Sequence, residues 1–163
     1  MRVRALAPHD IDAVLPLRRA LFEDCDEPCQ RRDLADLFAA AGPPGTIGNA
    51  AGFVAEHEGR LLGFTEVMLR SHAEGAWQHT TEGRLGVAYL EAWYVAPEAR
   101  GTGVGRALVR ACEGWAQEQG SAVLASDAVL DNLHSQPGEV RSGPGTRVAF
   151  LVPPCTLRTS ILC

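Results

Sequence analysis

The chain has 163 residues, 46% of them hydrophobic and 21% charged, which is enough for one closed core and too apolar for a disordered chain. Fifteen Lys and Arg against twenty Asp and Glu set the net charge at −5, a balance that excludes the basic patch on which nucleic-acid binding depends. No apolar run approaches the roughly 18–20 residues that span a bilayer, and the opening segment lacks the apolar stretch of a secretory signal, so the chain reads as cytoplasmic.

Residues 1–6 read as a short opening strand. From Asp10 the apolar positions Ile11, Val14, Leu15, Leu21 and Phe22 recur at helical spacing, with Pro16 blurring where the helix begins. Cys25 and Cys29 lie four apart and fit one helix face, but no second pair accompanies them. They read as free thiols, and no metal site is expected. A second helix carries Leu34, Leu37, Phe38 and Ala41 on one face and ends at Gly42-Pro-Pro-Gly45. Strands 52–57 and 60–69 follow, joined by a Glu58-Gly59 turn. Residues 71–84 form a polar loop around Trp77, an aromatic suited either to stacking on a sugar ring or to pinning the loop. Residues 85–96 are a strand rich in aromatics, stopped by Pro97.

The next helix opens at Arg100-Gly-Thr-Gly-Val-Gly105 and carries a core-facing stripe of Val104, Leu108, Ala111, Cys112 and Trp115. Gly120 closes it. Residues 122–126 then form a short buried strand, parallel to the preceding one because a strand–helix–strand unit crosses over. Asp127 falls at the carboxyl end of that strand, where open parallel sheets place their ligands. The glycine segment is neither a dinucleotide fingerprint, since Arg106 stands where the third glycine belongs, nor a Walker loop, since the chain has no lysine. It matches Arg-x-x-Gly-x-Gly, whose chemistry is anion capture. Glycines allow close approach, and the free N–H groups of a helix start point at a diphosphate. Glu91 alternates with Tyr89, Trp93 and Val95, which places all four on one strand face, so that Glu91 either lines a cleft or is an unpaired buried charge. Glu66, between Phe64 and Met68, is positioned to add negative charge to the same cleft. No histidine has ligand or catalytic spacing.

Residues 90–132, from Leu90-Glu-Ala-Trp-Tyr-Val95 through Ser126-Asp-Ala-Val-Leu-Asp-Asn132, resemble the coenzyme-binding core of the GNAT acetyltransferase superfamily. More narrowly they resemble bacterial aminoglycoside 6′-N-acetyltransferases, as does Leu17-Arg18 with Leu21-Phe22 near the start. The resemblance implies an α/β fold, a mixed and strongly twisted sheet flanked by helices. It also implies acetyl transfer from acetyl-CoA to the 6′-amine of an aminoglycoside. By the same likeness the backbone of Trp93, Tyr94 and Val95 holds the thioester and pantetheine. Gly101, Thr102, Gly103, Val104, Gly105 and Arg106 hold the diphosphate, and Asn132 meets the coenzyme further along. Phe22, Glu91 and Asp127 face the drug, and Asp127 is the expected base. Carboxylates suit that task because the substrate is a polycation whose amine must shed a proton before it attacks.

The likeness covers residues 1–136, read as one acetyltransferase domain, and fails over 137–163, a divergent segment of the same domain. There Pro137-Gly-Glu-Val-Arg-Ser-Gly-Pro-Gly145 replaces a helix, and residues 146–150 are left to supply the last strand. The altered C-terminal unit exposes one side of the sheet, which a second subunit of a homodimer is expected to cover. Two other readings stay open: a GNAT enzyme acting on a polyamine or a protein N-terminus, and a non-catalytic acyl-CoA-binding remnant. Neither a nucleic-acid nor a membrane partner is expected.

Overall fold

The computed structural model describes residues 1–42, 48–70, 87–121, 123–127 and 147–151, with only the backbone described for Val123, Asp127 and 147–151. Eight main elements follow in order: β1 (Arg2–Ala5), α1 (Ile11–Leu21), α2 (Glu27–Ala41), β2 (Ala50–His57), β3 (Arg60–Arg70), β4 (Val87–Val95), α3 (Val104–Glu118) and β5 (Val123–Asp127); β6 (Arg147–Leu151) closes the described chain. The six strands form one mixed sheet in sequence order. β1 to β4 are antiparallel neighbours, whereas β4, β5 and β6 run parallel. The expected hairpin turn is present: Glu58 has φ 50° and Gly59 φ 77°, the doubly left-handed geometry whose twist matches two right-twisted strands.

The sheet is covered on both sides. Phe64, Ala92 and Tyr94 pack with Val14, Leu21 and Leu34 of α1 and α2, while Val67, Ala88 and Leu90 pack with Val109 and Cys112 of α3 on the opposite face. Burial of a Val or Leu side chain removes apolar surface equivalent to roughly 1.5–3 kcal/mol, so these stripes hold the helices to the sheet. The α3 stripe sits slightly to one side of the predicted one. Val104, Leu108 and Cys112 are buried as expected, but Val109 and Ala116 complete the row in place of Ala111 and Trp115. α1 runs unbroken through Pro16.

One expectation about β4 is overturned. β3 alternates regularly from Gly63 to Arg70, but its register against β4 passes from Glu66↔Ala92 to Val67↔Leu90 and leaves Glu91 as an extra residue. Such a bulge shifts the parity of every later side chain. Ala88 and Leu90 therefore face α3 before the bulge, and Trp93 and Val95 face it afterwards. Tyr89 does not share a face with Trp93 and Val95, because simple alternation stops at Glu91.

The entry to α1 is tied to β1 by charge. Asp10 is buried and accepts from Arg4 through Nη1 at 2.6 Å and Nη2 at 2.8 Å, and from the Ala7 N–H at 2.9 Å. The Arg4 guanidinium holds the Asp10 carboxyl below its ordinary value. A carboxyl depressed in the folded state adds stability above its unfolded pKa of about 3.9, and loses it as pH falls through the folded value. Asp10→Asn should therefore cost about 1–2 kcal/mol near neutral pH, and the gap from the parent should close below about pH 4. Urea unfolding at both pH values measures the difference.

Candidate active site

Two features of β4 combine to open the sheet. The bulge at Glu91 bends the strand, and the ladder with β5 pairs Ala88–Leu90 with Leu124–Ser126 and goes no further. β4 continues to Val95, still paired with β3 on its other side. Among the described residues no strand takes up the β5-facing edge of 91–95. An extended chain that carries amide groups can add to such an edge as a strand would. Trp93, Tyr94 and Val95 lie on this open stretch, with the Val95 carbonyl already accepting from Arg100 Nε at 3.2 Å.

The glycine segment lies directly beyond. Gly101 has φ 74° and Gly103, the N-cap of α3, has φ 90°, both in the left-handed region that favours glycine. Thr102 Oγ1 donates to the Ala99 carbonyl at 2.6 Å and fixes the loop. The first intrahelical bond runs from the Ala107 N–H to the Gly103 carbonyl at 3.0 Å, so the N–H groups of Val104, Gly105 and Arg106 have no helical acceptor. No side chain caps this end and no acidic residue stands in its first turn. The helix dipole and the exposed Arg106 side chain leave an electropositive cradle of the kind that binds phosphates. Gly105 has a second reason to be glycine: a Cβ there would lie 2.9 Å from Trp93 Cζ2. The close approach sets the start of α3 against the open β4 edge.

The acidic candidates have distinct surroundings. Glu91, the bulged residue, is half-buried and held in a two-pronged ion pair with Arg70, Nε to Oε1 at 2.6 Å and Nη2 to Oε2. The Arg70 guanidinium also lies 3.8 Å from the Tyr89 ring centroid. Glu66 does not supply free negative charge: it bonds the Arg18 guanidinium, which is only 2% exposed. Arg18 in turn lies 5.1 Å from the ring centroid of Phe22 and 6.0 Å from that of Phe64. Phe22, the C-cap of α1, packs at the margin of that core. Asp127 is the last residue of β5, one position beyond Ser126 as Glu91 is one beyond Leu90. The two acidic positions are thus neighbours where the strands part. Asn132 and Trp77 lie outside the described residues.

Sequence reasoning missed Arg70 and Arg18. Their signal was a cation placed among strand and helix positions otherwise filled by apolar side chains, and it names no partner. Cys112 is a core residue; burial pushes its thiol up to about 12, and it donates to Thr65 Oγ1 at 3.3 Å.

Comparison with known proteins completes the picture. A family model described as "Acetyltransferase (GNAT) family" matches residues 11–137. The chain is 32% identical over 133 residues to an aminoglycoside N(6′)-acetyltransferase type 1 of Stenotrophomonas maltophilia, spanning 82% of this chain and 78% of that protein. It is 33% identical over 132 residues to the protein of the same name from Serratia marcescens, spanning 80% and 83%. A solved aminoglycoside N-acetyltransferase, AAC(6′)-Iy in complex with CoA, superposes with a TM-score of 0.72 at 23% identity, covering 83% of this chain and 81% of that one. The last likeness speaks for the fold.

Proposed function

The chain belongs to the GNAT acetyltransferase family, and from that premise we propose that it moves an acetyl group from acetyl-CoA to the 6′-amine of aminoglycoside antibiotics, conferring resistance. The observation that carries this reading is the likeness at 32% identity, over most of both chains, to an enzyme of that name. The uncapped start of α3 beside the unpaired edge of β4 supports it. We take 1–136 as the catalytic domain and 137–163 as its divergent end.

On this reading the N–H groups at Gly101–Arg106 hold the diphosphate. The β4 edge at Trp93–Val95 aligns the pantetheine and polarises the thioester carbonyl as an oxyanion hole does. Asn132 meets the coenzyme beyond the diphosphate. Phe22 and Glu91 face the drug, and one of its ammonium groups shares the Glu91 carboxylate with Arg70. Asp127 accepts the proton of the 6′-ammonium, directly or through water, and the free amine attacks the carbonyl carbon. The C–N bond forms, the C–S bond breaks, the nitrogen sheds its second proton to solvent, and the sulfur leaves as thiolate that solvent protonates. No cysteine or serine is assigned to a covalent relay, so the transfer is direct within a ternary complex. The proposal extends to a cytoplasmic homodimer; the outer edge of β6 has no neighbouring strand among the described residues, and such an edge invites a second subunit.

The test is release of free thiol from acetyl-CoA with kanamycin or tobramycin as acceptor, against spermine and a peptide N-terminus. Drug-dependent release is expected. Release with only spermine or peptide reassigns the acceptor, and coenzyme binding with no acceptor at all identifies a non-catalytic binder. Arg106→Glu tests the cradle separately. A carboxylate in the first turn of a helix stabilises the free protein by about 0.3–1 kcal/mol, yet it repels a diphosphate at the same N–H groups. Coenzyme affinity, measured by calorimetry, should fall roughly tenfold or more, while Tm holds or rises. Unchanged affinity would move the diphosphate elsewhere.

A further inference from the structure

Cys25 and Cys29 lack a second cysteine pair in the sequence, but the fold adds a third donor. One ligand atom from each of Cys25, Cys29 and Asp33 lies within 4.8 Å of the other two. We propose that these three residues bind a thiophilic divalent cation, zinc or cadmium, at the start of α2.

The donors are held from several directions. Cys29 and Asp33 are four apart in α2 and so share one helix face. Cys25 sits in the turn just before α2, where its N–H donates to the Phe22 carbonyl at 3.2 Å. The buried Gln30 side chain donates to the carbonyls of Phe22 at 3.3 Å and Cys25 at 3.0 Å. Asp26 Oδ1 accepts from the Cys29 N–H at 2.9 Å and caps the helix. The turn that carries the two thiols is therefore tied down on both sides before any ion arrives. Zn–S bonds of about 2.3 Å in a tetrahedron set two sulfurs roughly 3.8 Å apart, a spacing that modest side-chain rotation reaches from the observed cluster.

Ligand chemistry agrees. Cys-x-x-x-Cys is within the spacing of zinc sites, and thiolates select soft cations over magnesium or calcium. Two thiolates and one carboxylate bring three negative charges, which a divalent ion reduces to one. Arg18 Nη2 lies 3.6 Å from Asp33 Oδ2, but its charge is already matched by Glu66, so the loaded site keeps a net charge of about −1, which water screens at this exposed position. Both cysteines are partly exposed and Asp33 is exposed, so a fourth position is open to water and the ion has a route in.

Titration of the full, reduced chain with cadmium, free of chelator, is the direct test, read by the ultraviolet thiolate-to-cadmium charge-transfer band. One equivalent should bind, and zinc in large excess should compete for the same site. Cys25→Ser and Cys29→Ser should each weaken binding roughly 100-fold, and Asp33→Asn should weaken it measurably, with Tm as the check on folding because Asp33 also lies near Arg18. A chain with Cys155 and Cys163 both changed to serine should keep the band. No band at saturating cadmium in the parent chain overturns the proposal, as does a band that survives the Cys25→Ser/Cys29→Ser double change with undiminished affinity.

Discussion

Asp127→Asn is expected to lower the turnover of drug acetylation by roughly 10²-fold or more, with the affinity for acetyl-CoA unchanged. The amide matches the carboxylate in size, so the strand end keeps its shape. What is lost is the capacity to take a proton. The position is well anchored, because Asp127 is paired in the parallel ladder with Leu151 and follows directly on Ser126, which is paired with Leu90. The substrate amine is an ammonium at neutral pH, so attack on the thioester requires a group that removes the proton near the acyl carbon. Steady-state kcat and KM from thiol release, with Tm as the check on folding, measure the effect. A kcat near that of the parent would hand the proton to solvent or to another carboxylate, and Glu91, next to Asp127 at the splay, would be the first candidate.

The second large effect concerns stability. Glu66→Ala removes the partner of Arg18, a guanidinium 2% exposed and packed among Phe22 and Phe64. Asp33, at 3.6 Å and on the protein surface, is the remaining counter-charge. Two desolvated charges in contact add little net stability, but one left alone in an apolar site typically costs 3–5 kcal/mol. For a chain of this size about 3 kcal/mol corresponds to a fall of roughly 10 °C in Tm. Changing both partners together, Arg18→Met with Glu66→Leu, should recover most of that loss, since neither charge is then stranded. Thermal unfolding of Glu66→Ala and of the double variant decides the matter. A Glu66→Ala protein as stable as the parent would mean that Arg18 is solvated after all. Because Phe22 lies against Arg18, the same change should disturb drug binding more than coenzyme binding.

Short-range signals account for the elements that were readable in the chain. The stripe of α3, the Glu58-Gly59 turn, the helix stop at Gly42 and the glycines before Val104 each depend on residues within one or two turns of one another. The free N–H groups at the start of α3 are of this kind too, since unmade bonds and missing side chains follow from local order alone. The identities of Glu91 and Asp127 were legible through their neighbours in sequence, Leu90 and Ser126, but not their company.

That company was settled by tertiary structure. The bulge at Glu91 exists only against the regular pleat of β3, and it overturns the face assignment that alternation along β4 predicts. Arg70 meets Glu91 across 21 residues and Arg18 meets Glu66 across 48, so two carboxylates that look unpaired in the sequence each have an arginine beside them in the fold. Asp33 joins Cys25 and Cys29 for the same reason. Periodicity reports which way a side chain points, because backbone geometry sets it. It carries no information on which distant charge will be brought opposite, which depends on strand register and on where a helix end comes to rest.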